Sequence, residues 1–261
     1  MAQHKTFLAF SCIHFPFELK PALKWLLEQA ELRQPDVLVN LGDSFDGMAA
    51  ARWPNEAKHD LRDEYILTNE FLETIRKRSA KAGKSPLCVW TAGNHEDNVL
   101  SENRIPPDLR SLCDWRSLPQ YLPEAKNWRI HDYCYPTGPK AKQKSVYRLG
   151  QVSFLHGYKT CASADADACW QYGQEYGLTV QGHTHRPTDG IKHHYVKSMR
   201  GTRQYVNVGT FCDPEQMQYV RRKDHSQWWP TICVGNANPI KSPRESRHWS
   251  AEQIRMPGEE Y

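Results

Sequence analysis

The chain has 261 residues, of which 39% are hydrophobic and 25% are charged, values typical of a folded globular protein rather than a disordered or fibrous one. The 34 basic and 30 acidic residues leave a formal net charge of +4, a mild excess that permits polyanionic partners without requiring them. No run approaches the roughly 20 apolar residues of a membrane helix, and residues 6–17 do not read as a signal peptide, which favours the cytoplasm and no membrane partner.

The first half of the chain alternates short apolar runs with helical patterns, which is typical of βαβ units and a largely parallel sheet. Strands are predicted at residues 7–10, 36–41 and 87–91. A helix opens at Pro21 and runs to about Glu31. Apolar residues at helical spacing predict a second helix from Leu61 to near Gly83.

The second half begins with a proline-marked range, residues 97–150, which we interpret as an irregular insertion within one domain that spans residues 1–240. A strand, a helix closed by Gly177 and another strand follow, at residues 152–155, 163–176 and 178–181. Extended runs at residues 195–199, 205–208 and 231–234 predict an antiparallel end to the sheet system. The polar residues 241–261 are predicted to form a tail or arm.

Histidine, aspartate and asparagine follow the predicted strands at five places, where open α/β sheets bind ligands. The five segments read SCIH (11–14), GDSFD (42–46), GNHE (93–96), HG (156–157) and GHTH (182–185). Imidazoles mixed with hard oxygen donors suit manganese, iron or zinc, and a carboxylate between two such sets can bridge two ions. Two divalent ions can hold the attacking and leaving oxygens of a phosphoryl group. The set therefore favours hydrolysis of a phosphoester.

In order and spacing, these segments resemble the motifs DxH, GDxxD/N, GNHE/D, H and GHxH of the calcineurin-like metallophosphoesterase superfamily, from about Phe10 to Asn207. The resemblance implies an α/β fold, a four-layer αββα sandwich of two mixed β-sheets flanked by helices, with two divalent metal ions. It assigns one ion to His14, Asp43 and His185. It assigns the other ion to Asp43, as the bridge, with Asn94, His156 and His183.

The resemblance also implies that His95 contacts the substrate phosphate or protonates the leaving oxygen, with Asp46 orienting its ring. Residue chemistry leads to the same expectation. Asn94 offers a neutral oxygen to an ion, whereas His95 stays available for proton transfer near neutral pH. A carboxylate behind the imidazole, such as Asp46, would fix its tautomer and raise its pKa.

Cys12 departs from the family pattern, which has an aspartate at this position. A thiolate is a softer ligand that favours zinc or ferrous iron over magnesium or calcium. The alternative is that Cys12 is a buried small side chain that only fills the place of the aspartate. The RNA lariat debranching enzymes, which are similar in these motifs, carry a cysteine here, so the exchange does not by itself indicate inactivity.

Four residues outside the ligand set are candidates for substrate binding. Phe45, Arg52 and Trp53 lie on or after GDSFD, in a loop expected to overhang the ions, and Arg186 follows GHTH. The lysine run at residues 140–144 and the nine tryptophans provide a second, weaker candidate for nucleic-acid binding, against the alternative of a solvated loop and ordinary core aromatics.

The sequence thus predicts a metal-dependent phosphoesterase whose substrate is a phosphodiester such as a nucleic acid or a nucleotide. One alternative is a phosphomonoesterase acting on proteins or nucleotides. Another is a metal-binding scaffold without activity, against which the presence of His95 and Asp46 argues. Substrate identity and oligomeric state do not follow from the sequence, because one fold serves many substrates.

Overall fold

The computed structural model describes residues 4–47, 59–100, 107–114, 120–134, 145–196, 199–217, 226–238 and 249–258. These residues form two β-sheets with helices on their outer faces. None of the helices in these ranges combines the length and the apolar character needed to cross a membrane.

Eleven strands and five α-helices are defined in the described ranges, with a 3₁₀ helix at Pro123–Asn127. The strands are β1 (Lys5–Phe10), β2 (Val37–Asn40), β3 (Leu87–Thr91), β4 (Trp128–His131), β5 (Tyr147–Leu149), β6 (Val152–Phe154), β7 (Leu178–Gln181), β8 (Thr188–Val196), β9 (Met199–Asn207), β10 (Thr231–Ala237) and β11 (Trp249–Arg255). The helices are α1 (Lys20–Arg33), α2 (Leu61–Arg78), α3 (Asn94–Asn98), α4 (Pro107–Cys113) and α5 (Ala164–Tyr172).

The first sheet has the strand order β11-β10-β1-β2-β3-β4. Strands β1 to β4 are parallel to one another, with Leu8 opposite Leu38 and Val39 opposite Val89. Strand β10 is antiparallel to β1, and β11 is antiparallel to β10. Parallel strands end at the same edge of a sheet, so the segments SCIH, GDSFD and GNHE emerge side by side.

The second sheet has the strand order β5-β6-β7-β9-β8. Strands β6, β7 and β9 are parallel, and the sheet is closed on each side by an antiparallel strand. The carboxyl ends of β6 and β7 carry His156 and the GHTH segment. The two sheets therefore contribute three and two of the five motif segments.

The layers follow from the alternation of side chains along each strand. Leu8 and Phe10 of β1 face α1 and α2, where they share a buried cluster with Leu26 and Leu72. The intervening residues Phe7 and Ala9 face the second sheet, and the Phe7 ring packs edge-on against Phe154 with ring centroids 5.1 Å apart. Helix α5 covers the outer face of the second sheet, where the Cys169 thiol contacts the carbonyl oxygen of Gln204. The fold is the predicted αββα sandwich.

Several predicted elements have different ends in the structure. The second helix, expected to run to near Gly83, ends at Arg78. The helix expected at residues 163–176 ends at Tyr172, because Gly173 is extended and a side chain there would clash with the backbone of Cys169. The single strand expected at residues 195–199 was wrong, because these residues belong to two strands: β8 ends at Val196 and β9 begins at Met199, and residues 197–198 lie outside the described residues.

The ranges predicted as an insertion and a tail also contain sheet strands. Between residues 97 and 150, β4 forms one edge of the first sheet and β5 forms one edge of the second. In the predicted tail, Trp249–Arg255 forms β11, which pairs along its length with β10. Its sequence, WSAEQIR, lacks an apolar run because β11 is an edge strand with alternating half-buried and exposed residues.

Candidate metal centre

The loops after β1, β2, β3, β6 and β7 meet at one end of the two sheets and bring all the predicted metal ligands together. One group of ligand atoms lies within 4.8 Å of one another and belongs to Cys12, His14, Asp43 and His185. A second group, within the same limit, belongs to Asp43, His156 and His183. The side-chain oxygen of Asn94 lies 3.3 Å from His156 Nε2. Asp43 is common to both groups, the position that a bridging carboxylate requires.

The backbone of the ligand residues adopts an unusual conformation. Five of them lie in the left-handed region, with φ between 53° and 71°: Cys12, His14, Asp43, His183 and His185. For a residue other than glycine, this backbone conformation is unfavourable by on the order of 1 kcal/mol or more, and such backbone strain is concentrated at functional sites. Gly42 contributes a φ of 97° beside Asp43, and a side chain there would clash with the backbone of Thr91 and Gly93.

Hydrogen bonds determine which ring nitrogen of His156 faces the centre. His156 Nδ1 lies 2.7 Å from the carbonyl oxygen of Leu41, which only accepts, so Nδ1 carries the proton. In the neutral ring Nε2 therefore presents a lone pair, at 3.0 Å from Asp43 Oδ2 and 3.2 Å from His183 Nδ1. Several electron-pair donors thus point at one another.

A similar convergence occurs in the other group. His14 Nδ1 is hydrogen bonded to Asp46 Oδ1 at 3.1 Å, which directs Nε2 inward. That nitrogen lies 3.1 Å from His185 Nε2 and 3.7 Å from Asp43 Oδ2. Buried donors that converge in this way repel one another unless a proton or a cation lies between them. The nitrogen, oxygen and sulfur atoms of this chain therefore fit divalent transition-metal ions.

The pKa shifts of the histidines differ across the centre. Burial and the neighbouring His156 lower the pKa of His183 to about 3, and burial together with His14 holds the pKa of His185 well below its usual range. Both GHTH histidines are therefore neutral and can act as ligands. Burial would raise the pKa of Asp43, but His156 and His95 outweigh it and lower the pKa well below the usual range.

Cys12 is fully buried in the first group, with its sulfur 3.1 Å from Ser11 Oγ. The sulfur also accepts the backbone N–H of His183 at 3.3 Å. Burial, and then the Asp43 carboxylate, raise the pKa of the thiol well above its ordinary value. The side chain is therefore a neutral thiol unless the positive charge of an ion stabilises the thiolate.

His95 lies beside the ligands and its side chain is 16% exposed. Its Nδ1 lies 2.5 Å from the backbone carbonyl oxygen of Asp46 and 3.4 Å from the Asp46 carboxylate, so both parts of Asp46 orient the ring. Asp46 also holds His14, a second contact that the sequence did not predict. Burial lowers the pKa of His95, but Asp43 and Asp46 outweigh it and raise the value to about 9.

Residues 5–220 match the calcineurin-like phosphoesterase family. The chain belongs to this family. No curated protein showed a significant match.

Several solved structures resemble this family member. The phosphoesterase YfcE from E. coli is 14% identical, with a TM-score of 0.41, over 95% of this chain and 98% of that one. A Vps29 double mutant from Entamoeba histolytica is 10% identical, with a TM-score of 0.37, over 97% and 99% of the two chains. A hypothetical protein from Thermus thermophilus is 12% identical, with a TM-score of 0.44, over 97% and 100%.

The structure describes two of the four predicted substrate-binding residues, Phe45 and Arg186. Phe45 is fully buried and packs edge-on against Tyr65 of α2 with ring centroids 5.0 Å apart, so its expected place above the ions was wrong. Arg186 is half-buried and donates to the carbonyl oxygen of Thr160 at 3.3 Å, on the loop that follows His156. Arg52 and Trp53 lie outside the described residues.

Sequence reasoning missed the role of Glu96 in holding the ligand loops. Its buried carboxylate accepts three backbone N–H groups, from Gly93 at 2.7 Å, Asp43 at 2.8 Å and Ser44 at 2.7 Å. It thereby ties the loop after β3 to the loop after β2. The sequence signal for this role was the glutamate at the end of the GNHE segment, which is Glu96.

Asn207 supports the GHTH loop through its side-chain amide. Its amide donates to the carbonyl oxygen of Gly182 at 2.7 Å and to the hydroxyl of Thr184 at 2.9 Å. It also donates to the buried carboxylate of Asp165 at 2.9 Å. Asp165 lies on α5, outside every motif, and was not predicted.

Proposed function

We propose that the protein hydrolyses a phosphodiester, in a nucleic acid or a nucleotide, with the help of two divalent metal ions. The observation that carries the proposal is the pair of donor groups that share Asp43, with His95 beside them. Phosphoester chemistry is the activity that the family name describes. The preference for a diester is supported by the net charge of +4 and by a strand-end site formed from loops of both sheets.

His14, Asp43 and His185, with Cys12, would hold the first ion. Asp43, Asn94, His156 and His183 would hold the second. When bound, such ions supply positive charge that polarises the phosphoryl group and lowers the pKa of water. Manganese, iron and zinc suit this mixture of imidazole, carboxylate, amide and thiol ligands.

His95 is the proposed general acid. Its Nδ1 proton is engaged by the carbonyl oxygen of Asp46, which leaves Nε2 as the atom that can give a proton to the leaving oxygen. Asp43 Oδ1 accepts the backbone N–H of His95 at 3.0 Å. This hydrogen bond places His95 next to the carboxylate that both ion sites share. A scaffold without activity has no use for a histidine held in this way.

Kinetic comparison of two substrates tests the proposal. Turnover of bis(p-nitrophenyl) phosphate should exceed turnover of p-nitrophenyl phosphate, with manganese, iron, zinc and nickel each supplied in turn. A preference for the monoester would indicate that the protein is a phosphomonoesterase and not a phosphodiesterase. Absence of turnover on both substrates with every metal would favour the scaffold.

Two variants test the assigned roles. Asp43→Asn should remove most bound metal and nearly all turnover, because one lost charge is shared by two ions. His95→Ala should lower turnover by about 10²- to 10⁴-fold while metal content stays near that of the wild type. The loss should be greater for an alkoxide leaving group, which needs a proton, than for nitrophenolate. Full turnover in His95→Ala with an alkoxide leaving group would refute the general-acid role.

A further inference from the structure

His185 differs from His14 and His156 in how the ring nitrogen that points away from the centre is held. A histidine that binds a metal usually donates its second N–H to a carboxylate or a carbonyl oxygen, which sets the orientation of the ring. His14 has Asp46 and His156 has Leu41 in this role. His185 is 94% buried (6% exposed), and its Nδ1 has no hydrogen-bond partner within the described part of the chain.

An aromatic contact takes the place of that hydrogen bond. The indole of Trp228 lies against the His185 ring with centroids 4.1 Å apart and planes at 78°, an edge-to-face arrangement. His185 Nε2 faces His14, so the indole of Trp228 packs against the same imidazole ring that carries the ligand atom. Edge-to-face aromatic pairs contribute about 0.5–1.5 kcal/mol beyond the area that they bury.

Trp228 is itself anchored to the structure around the centre. It packs on a small cluster formed by Phe17, Cys212 and Met217, all of which are almost fully buried. The cluster is tied to the ligand loop, because Thr210 donates its hydroxyl to the carbonyl oxygen of Cys12 at 2.9 Å and lies 3.0 Å from the Cys212 sulfur. The tryptophan can therefore hold His185 at a defined place relative to the loop that carries Cys12 and His14.

We propose that Trp228 is a positioning residue for the first metal ion: its indole fixes the His185 imidazole so that Nε2 points at the position shared with Cys12, His14 and Asp43. The inference rests on the dinuclear centre of the proposed function. It adds a residue that belongs to none of the five motif segments and lies 43 positions beyond His185 in the chain. Trp228 acts through His185 and has no direct chemical role.

The test is metal retention rather than turnover. The wild type and the variants Trp228→Ala, Trp228→Leu and Trp228→Phe are loaded with zinc, and the ions lost to a chelator are counted over time. His185→Ala and His183→Ala are the references for loss of the first and the second ion. Trp229→Phe is the matched control, because the neighbouring indole is 41% exposed and bonds to the carbonyl oxygen of Met256, away from His185.

We expect Trp228→Ala and Trp228→Leu to lose one ion about 10- to 100-fold faster than the wild type, the range typical of losing the group that orients a metal ligand. The lost ion should be the one that His185→Ala loses. Trp228→Phe should stay within a few-fold of the wild type, because it keeps a ring in contact with His185, and Trp229→Phe should be unchanged. Trp228→Leu keeps an apolar side chain against the cluster of Phe17, Cys212 and Met217, so it serves if the alanine variant does not fold.

The inference is overturned if the folded Trp228→Leu variant retains both ions as long as the wild type does, or if it loses the ion that His183 holds. A wild type that binds fewer than two zinc ions would instead overturn the proposed dinuclear centre, and with it this role for Trp228. Urea unfolding of each variant, measured without metal, separates loss of the ion from loss of the fold.

Discussion

Replacement of Glu96 by glutamine tests how the fold holds the ligand loops in place. Glu96 Oε2 accepts the N–H groups of Gly93 and Asp43, and Oε1 accepts that of Ser44. Glutamine has the same shape, but only one of its two terminal atoms accepts a hydrogen bond. The amide oxygen can keep the two bonds of Oε2, while the amide N–H₂ then faces the N–H of Ser44.

The magnitude follows from these three contacts. A hydrogen bond to a charged group contributes about 1.5–3 kcal/mol, and a buried donor left unpaired costs about 1–3 kcal/mol. Glu96→Gln should therefore lower the free energy of unfolding by about 1–3 kcal/mol. Glu96→Ala leaves all three donors unpaired and should cost about 3–5 kcal/mol, since the loss of a buried and partly repelled carboxylate offsets part of the sum.

Urea unfolding of the metal-free protein measures the effect. With a slope of about 2–3 kcal/mol per molar urea, a loss of about 1–3 kcal/mol in Glu96→Gln should lower the midpoint by about 0.3–1.5 M. Glu73→Gln is the control for the same chemical change, because Glu73 lies on the exposed face of α2 and pairs with Lys77 at 2.7 Å. Its unfolding midpoint should match that of the wild type.

A second measurement links this carboxylate to the centre. Because Glu96 positions the backbone of Asp43 and Gly93, Glu96→Gln should weaken zinc binding by about 10- to 100-fold. An unfolding midpoint equal to the wild-type value, together with unchanged zinc affinity, would refute the reasoning. Equal destabilisation by glutamine and alanine would show that the retained amide oxygen does not hold the two N–H groups.

Three further variants probe other parts of the centre. If the Cys12 thiolate binds the first ion, Cys12→Asp should shift metal preference from zinc or ferrous iron toward manganese or magnesium, since carboxylate is the harder ligand, and unchanged metal content in mixed-metal loading would favour simple packing. Asn207→Asp should lower the free energy of unfolding by about 2 kcal/mol or more, because it places a carboxylate against Asp165; an unshifted urea midpoint would contradict this. Gly42→Ala should yield little folded protein in solubility and circular-dichroism assays, because its φ is 97° and the added carbon meets the Gly93 backbone; wild-type yield would count against the tight turn.

The sequence alone was enough to predict the family, the sheet strands that lead into the motifs, and the members of the two donor groups. The reason is local: most residues of β1, β2, β3 and β7 are buried on both faces, and the polar residues of each motif follow directly after the strand. Leu87–Thr91 and Leu178–Gln181 have the predicted bounds. Parallel strands then bring these ends together at one edge.

Only the tertiary structure decided which residues support those ligands. Glu96 bonds to backbone groups 52 and 53 positions earlier, and no local pattern encodes a contact with a backbone N–H. Phe45 lies within a motif, yet its ring packs against Tyr65 of α2 in the hydrophobic core. Trp228 lies outside every motif and gains its role from His185, 43 positions earlier, whereas the polar strand β11 gains its place in the sheet from pairing with β10. Contacts of this kind arise from packing between elements, and periodicity along one element does not contain them.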